Sequence, residues 1–254
     1  MSFVLFETVQ DGDERYLDWL VSGLSWTIGL AAAGWCIAFA IGVIVGSART
    51  SRHRGIAIAA RLYVEVFRNI PVIVQMFLWY FVLPELLPKE LGDAYKKLAP
   101  PWGSFVPALF GLSLYTAARV AEQVRAGIEA LPNGQRAAAQ ALGMTELEVY
   151  RLVLLPQALR IIMPTLTSEV MGIFKNTSVA LTIGLLELTA QARQINEFTF
   201  QTFQAFGSAT GIYLMLALAV YAVMHWLEAR FSMPGQGLAR IPRPSRPGAA
   251  GEKA

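Results

Sequence analysis

Charged and polar side chains, together with one proline, interrupt two stretches of this sequence that are otherwise apolar. They are Arg68, Pro71, Gln75, Glu169, Lys175, Asn176, Thr177 and Ser178. An ionised residue in the middle of a membrane helix costs about 2.5–3.5 kcal/mol on insertion scales, so such residues are candidates for a functional site. Ammonium and guanidinium groups bind carboxylates through charge-assisted hydrogen bonds. The eight residues are therefore predicted to line the route of a zwitterionic or anionic solute.

The later group, Ser168 to Ser178, has helical spacing. Glu169 and Asn176 are seven positions apart and share one helix face, while Lys175 lies on the neighbouring face. The polar run from Asn176 to Ser178 is predicted to break the helix locally, with freed backbone groups lining a cavity. The alternative is structural, with Lys175 paired to Glu169 or to carbonyls at a helix end.

The earlier group surrounds Pro71, which is expected to kink a helix or to mark its start. Arg61, Glu65 and Arg68 are spaced four and three apart, so they can form a ladder of ion pairs on one helix face. Arg68 lies deeper in the apolar stretch and either extends this ladder or faces the pathway. Gln75, one turn beyond Pro71, offers a neutral donor and acceptor.

The sequence lacks the common motifs of nucleotide-binding and hydrolytic sites. The sequence has no G-x-x-x-x-G-K-[ST] phosphate loop, H-E-x-x-H pattern or G-x-S-x-G pattern. Its two histidines, His53 and His225, stand in a basic loop and near the end of an apolar stretch. Cys36 is the only cysteine, so a disulfide or a cysteine-based metal site is excluded within the chain. We therefore expect that this chain is not an enzyme and binds no cofactor or metal of its own.

The elements that carry these residues are predicted to be membrane helices. The chain of 254 residues is 55% hydrophobic and only 15% charged, with a mean hydropathy of +0.46. A bilayer is crossed by about 20 apolar residues. Five stretches meet or approach this length: 19–48, 62–83, 104–118, 161–186 and 205–227. The prediction is an all-α, polytopic membrane protein with about five spans. Its net charge of +3 is explained by topology, so nucleic acid is not expected as a partner.

Lys and Arg indicate the orientation of these spans. Fourteen of them lie in alternate loops and the C-terminal tail, and five lie in the other loops. Since positive residues accumulate in the cytoplasm, the N-terminus is predicted outside and the C-terminus inside. Residues 1–18 then form a periplasmic segment, residues 19–232 the membrane domain, and residues 233–254 a disordered cytoplasmic tail. Gly42 and Gly46 have the small-xxx-small spacing of close helix packing, either within the chain or against another subunit.

A cytoplasmic loop, residues 129–158, resembles a small helical hairpin. Asn133 is predicted to cap a first helix, and Gly143 to end it in a left-handed conformation. Thr145 and Glu148 have the spacing of a capping box, which starts a second helix at once. Pro156 is expected to limit that helix. The three alanines at 137–139 leave one side of the first helix nearly bare.

This loop resembles the EAA signature of permease subunits of bacterial ABC importers, because Gly143, Val153, Leu155 and Pro156 have the same spacing. The resemblance implies a type I importer permease whose bent segment is a coupling helix on a separate ATPase. Carried over to this chain, the coupling residues are Ala137, Ala138, Ala139, Ala141, Leu142, Gly143, Met144 and Thr145. The glutamate of the signature falls on Ala137, so any charged contact that it makes is missing here.

Two further segments, "VEVFRNIPVIVQ" and "SEVMGIFKNTSVALTIGL", are similar to permeases for polar amino acids. The details of residues 63–69, 84–88 and 117–125 resemble the glutamate/aspartate subgroup. The resemblance implies an inner-membrane permease subunit for glutamate and aspartate. The alternatives are glutamine, histidine or arginine as substrate, or a passive channel or membrane-embedded enzyme. Implied partners are a second, homologous permease, two ATP-binding subunits that hold ATP and Mg, a periplasmic amino-acid-binding protein and the bilayer.

Overall fold

The structure, a computed structural model, describes residue 5, residues 15–132 and residues 134–231. Its α-helices are α1 (Tyr16–Arg49), α2 (Arg54–Asn69), α3 (Val72–Phe77), α4 (Leu83–Leu86), α5 (Lys89–Lys96), α6 (Trp102–Glu129), α7 (Gly134–Ala141), α8 (Glu146–Glu148), α9 (Leu155–Asn176), α10 (Leu188–Thr199) and α11 (Thr202–Phe231). Wider π-helical turns occupy Leu78–Val82 and Val149–Leu154, and a 3-10 helix occupies Thr177–Ile183. These residues form no β-strand, so the predicted all-α class is confirmed.

Five spans are confirmed when one bent pair is counted as a single crossing. Four continuous helical stretches are long and apolar enough to cross a membrane, and α2 with the segment Val72–Leu86 gives the fifth, bent by 104°. The bend lies at Pro71. The residue before it, Ile70, has the extended conformation that is favoured before a proline. Pro71 thus marks the start of α3, as predicted.

The third span is longer than predicted. The apolar stretch ends at residue 118, but α6 continues to Glu129 and includes Arg119 and Arg125, which hydropathy had placed in the loop. Arg119 is paired with Glu169 and Arg125 with Glu122, so neither charge is left without a partner in this part of the helix. A window of hydropathy cannot detect such pairing.

The helix that follows α7 is also continuous where a stop was predicted. It runs from Glu146 to Ile183 through α8, the π-helical turn, α9 and the 3-10 helix. Pro156 stands at the start of α9, which directly follows the π-helical turn, and the helix continues through it, so the expectation that it limits the helix was wrong. Pro164 is accommodated inside α9.

The contact between α1 and α6 forms the centre of the bundle. A Cβ placed on Gly42 would meet the side chain of Val120 at 2.6 Å, and one on Gly46 would meet the carbonyl oxygen of Ala121 at 2.6 Å. The two backbones therefore touch at both glycines. Of the two readings of this motif, packing within the chain is the one that the structure has.

Candidate functional site

Glu169 of α9 is held by residues of α6. Its side chain is only 7% exposed, and Arg119 donates from Nε to Oε2 at 2.6 Å and from Nη2 to Oε1 at 3.0 Å. Gln123 Nε2 donates to the same Oε1 at 2.9 Å. The alternative in which Lys175 pairs with Glu169 was therefore wrong. The sequence missed Arg119 and Gln123 because their helix was expected to end before them.

Lys175 is exposed and lies on a groove of about 610 Å³ between α9 and α11. The groove has mostly apolar walls, and its hydroxyl groups come from Ser178, Thr189, Thr210, Tyr213 and Tyr221. None of the ion pairs formed by the described residues includes Lys175. Its ammonium is therefore available to a ligand or to another subunit.

At Asn176 the helix changes type and continues, so the predicted local break with freed backbone groups does not occur there. The α-helix ends there and the tighter 3-10 helix begins at Thr177. Thr177 Oγ1 donates to the carbonyl of Phe174 at 2.7 Å, and Ser178 Oγ donates to that of Lys175 at 2.8 Å. Both hydroxyl hydrogens are used in these bonds within the helix. The two side chains can therefore only accept hydrogen bonds from a solute.

Gln75 stabilises the bend between α2 and α3. It is 3% exposed, and its Nε2 donates to the carbonyl oxygens of Phe67 at 2.7 Å and of Ile70 at 2.9 Å. These carbonyls lose their helical partners where the chain turns at Pro71, so the amide replaces the missing bonds. The geometry makes Gln75 a structural residue at the bend, where the sequence suggested a pathway residue.

The predicted ladder on α2 does not form in residues 54–69. Arg61 and Glu65 are both exposed and form no ion pair with each other, and Asn69 Nδ2 donates to the backbone carbonyl of Glu65 at 2.7 Å. Arg68 lies with its Nη1 3.9 Å from Oε2 of Glu122 and its side chain is 50% exposed. Of these charged residues of α2, Arg68 therefore contacts a carboxylate of α6.

Glu122 is the centre of a second charged cluster. Besides Arg68, it pairs with Arg49 at the end of α1 and with Arg125 one turn along α6. Arg125 also pairs with Glu129. The predicted pathway residues therefore fall into three places: the α6–α9 seam, the α9–α11 groove and the bend beside α6.

The bent segment that contains α7 and α8 has the local structure that was predicted. Gly143 adopts a left-handed conformation with φ of +82°. Thr145 N donates to Oε2 of Glu148 at 2.7 Å and Glu148 N donates to Oγ1 of Thr145 at 3.4 Å, which completes the capping box. The predicted cap at Asn133 lies outside the described residues.

The two sides of α7 have different roles. Its outward side is formed by residues that are all exposed: Ala137, Ala138, Ala141, Leu142, Gly143 and Thr145. Leu142 is 83% exposed. Ala139 is 5% exposed and packs against a cluster that includes Val149 and Leu154, and Met144 packs against the same cluster. Ala139 and Met144, which were predicted to be coupling residues, are therefore not part of the exposed side.

Arg136 joins the bent segment to the turn between α1 and α2. It pairs with Glu146, donates to the carbonyl of Thr50 at 3.2 Å, and its guanidinium carbon lies 5.2 Å from the centroid of the Tyr150 ring. Tyr150 OH and Thr50 Oγ1 lie 2.8 Å apart. These contacts position α7 against the bundle without the glutamate that Ala137 replaces.

Glu187 was not identified from the sequence. It is fully buried at the start of α10, where its carboxylate accepts from Ala190 N at 2.8 Å, Thr189 N at 3.0 Å and Tyr213 OH at 2.8 Å. Burial raises the pKa of this carboxyl, and the hydrogen bonds oppose that shift. The available signal was an acidic residue before an amphipathic run, which is typical of a helix cap.

Comparison with known proteins gives consistent matches over most of the chain. Residues 38–233 match the family model of the binding-protein-dependent transport system inner membrane component. The chain is 43% identical over 225 residues to the glutamate/aspartate import permease protein GltJ of Escherichia coli strain K12, covering 88% of this chain and 92% of that protein. It is 32% identical over 214 residues to the probable amino-acid ABC transporter permease protein PatM of Vibrio harveyi, covering 84% and 92%.

Solved structures show the same architecture. A chain of an amino acid ABC transporter crystallised with histidines superposes with a TM-score of 0.70 and 30% identity, covering 85% of this chain and 95% of the other. A chain of the inward-facing MetNI methionine ABC transporter superposes with a TM-score of 0.68 at 19% identity, covering 85% and 98%. The second match supports the fold alone.

Proposed function

The chain belongs to the family of inner membrane components of binding-protein-dependent transport systems, and we propose that it imports glutamate and aspartate. It is a multi-pass inner-membrane permease of the amino acid ABC transporter type. The observation that carries the proposal is the 43% identity to a glutamate/aspartate import permease over 88% of the chain. Arg68, Arg119 and Lys175, three cations in the membrane segments, suit a substrate with two carboxylates.

The proposed assembly contains this chain, a second homologous permease, two ATP-binding subunits and a periplasmic binding protein for the amino acid. ATP and Mg are held by the ATP-binding subunits, and this chain supplies no catalytic group. In the proposed orientation the N-terminus is outside, which places α7 and the bent segment in the cytoplasm. ATP-driven closure of the two ATPases would turn the pathway outward, and hydrolysis would let it open inward.

The proposed contact with the ATPase is the outward side of α7 and the residues after it. Small side chains at Ala137, Ala138 and Ala141 let a partner surface approach the helix backbone, and Leu142 supplies an exposed apolar contact. Because Ala137 replaces a glutamate of the signature, we infer that docking depends on shape and apolar contact.

Substrate competition tests the proposed transport activity. The complete assembly would be reconstituted in vesicles and the uptake of radiolabelled glutamate measured with and without ATP. Aspartate is expected to compete strongly, with glutamine, histidine and arginine competing weakly. Uptake without ATP would indicate a channel, and stronger competition by glutamine or histidine would reassign the substrate.

Two neighbouring alanines test the coupling surface. Ala138→Arg places a long charged side chain on the exposed side of α7, so the assembled complex should lose ATP-driven uptake. Ala139→Arg places the same side chain in the packed cluster and should instead lower the thermal stability of the permease. Ala59→Arg, at an exposed alanine of α2, is the control. Normal coupling in the Ala138 variant would contradict the proposed docking surface.

A further inference from the structure

We propose that Arg119 binds a carboxylate of the transported amino acid, with Glu169 and Gln123 positioning its guanidinium. This rests on the proposed function, since it assigns a ligand group to a substrate of that transporter. Arg119 was expected in a cytoplasmic loop and is instead part of α6, so no earlier assignment covers it.

The first support is the depth of Arg119 in the bundle. At 1.5 Å per residue, Arg119 lies about 26 Å along α6 from Trp102 and about 15 Å from Glu129. A hydrocarbon core of about 30 Å that begins near Trp102 would include it. The side chain also points towards the Trp102 end, because its guanidinium carbon lies 5.9 Å from the ring centroid of Tyr115, one turn back along α6. It therefore extends away from the nearer helix end.

The second support is the uneven burial of the ion pair. The side chain of Glu169 is 7% exposed, whereas that of Arg119 is 45% exposed. A charged group inside a membrane faces a water-filled cavity or another protein surface, because lipid contact is costly. We assign the exposed part of Arg119 to the water-filled space enclosed by the assembled permease, because that surrounding admits a solute.

The third support is the number of N–H donors on the guanidinium of Arg119. Bonds to Glu169 use Nε and Nη2, and Nη1 takes part in neither. A guanidinium carries five N–H donors, so it can bind a second carboxylate while Glu169 retains the first. Glu169 is itself fixed by Gln123 Nε2 at 2.9 Å, which keeps the guanidinium plane in place.

A second cation lies close along the same helix. Arg68, with a side chain 50% exposed, is 3.9 Å from Glu122, which stands one helical turn from Arg119. Two half-exposed guanidinium groups next to one turn of α6 suit a solute with two carboxylates. Arg119 is positioned by two hydrogen bonds to Glu169, while Arg68 forms a longer ion pair with Glu122.

A charge-balanced pair of substitutions separates binding from structure. Arg119→Gln should raise the KM for glutamate uptake at least about tenfold, since a hydrogen bond to a charged group is lost. If Arg119 served only to neutralise Glu169, the double variant Arg119→Gln/Glu169→Gln would restore uptake, because no unpaired charge remains. We expect instead that the double variant assembles, keeps ATPase activity stimulated by the binding protein, and retains the raised KM.

Arg119→Lys keeps the charge and should recover part of the affinity. The matched control is Arg193→Gln/Glu197→Gln, which removes an exposed Arg–Glu pair on α10 and should leave the KM unchanged. A KM within twofold of wild type in the double variant at Arg119 and Glu169 would overturn the proposal.

The wild-type measurement tests the proposed function separately. If wild-type vesicles take up another amino acid and no glutamate or aspartate, the substrate assignment fails. Arg119 can then be tested with that amino acid, because every amino acid carries a carboxylate.

Discussion

Helix α6 makes two kinds of contact, and their comparison separates stability from function. Towards α1 it presents small and apolar residues, and the backbones touch at Gly42 and Gly46. Its residues 119–125 instead carry charges that reach α9, α2 and the end of α1. Close apolar packing has one good arrangement, so it supplies rigidity. Buried ion pairs add little net stability, since desolvation offsets their attraction, so stability alone does not explain their presence.

The largest effect is expected from breaking the apolar contact. In Gly46→Val the new side chain would overlap the carbonyl of Ala121 and the side chain of Val124, neither of which can move without separating the helices. Overpacking of this kind costs about 1–3 kcal/mol or more. The melting temperature of the purified permease in detergent should fall clearly.

Gly29→Val is the matched control for this substitution. It lies in the same helix, and a Cβ there meets nothing within 4 Å. The proposed difference between the two sites fails if both variants melt at the same temperature.

A smaller effect is expected from the charged cluster. Glu122→Gln removes the carboxylate shared by Arg49, Arg68 and Arg125, and the Arg49 side chain is only 9% exposed. Leaving a largely buried cation without its partner should cost about 1–3 kcal/mol. The melting temperature should fall less than for Gly46→Val, and uptake should fall more than stability accounts for.

Glu197→Gln removes a carboxylate from an exposed pair and is the control for Glu122→Gln. Exposed pairs contribute about 0–1 kcal/mol. Equal melting temperatures in the two variants would remove the distinction between clustered and surface charges.

The smallest effect is expected for Ser113, a buried polar residue on the side of α6 that packs against α1. Ser113 is 1% exposed, faces Gly34 of α1, and its Oγ has no hydrogen-bond partner among the described residues. Replacing an unsatisfied buried hydroxyl by hydrogen is close to neutral or stabilising. Ser113→Ala should melt at the wild-type temperature or above it, and a clear decrease would reveal an unrecognised contact.

Features that depend on neighbouring residues were predicted correctly. The five apolar stretches, the left-handed Gly143 and the capping box of Thr145 all arise from local backbone preferences or from composition. Each of them needs only a few residues of context. The same holds for Gly42 and Gly46, where the sequence predicted close packing but not which helix would be the partner.

Features that depend on distant partners were not predicted. Arg119 and Glu169 are fifty positions apart, and without their pairing Arg119 looked like the end of a span. Ala139 looked as bare as Ala138, yet only the fold turns it towards Val149. Pro156 looked like a stop because a π-helical turn before it has no clear pattern in the sequence.

By itself, the sequence determined that this is a helical membrane protein with a bent segment between two spans and charges in its spans, because burial of apolar residues and backbone propensity act locally. Only the tertiary structure decided which charge meets which, and which side of each helix is free. An ion pair or a packed alanine is defined by two surfaces, and their proximity results from the folding of the whole chain.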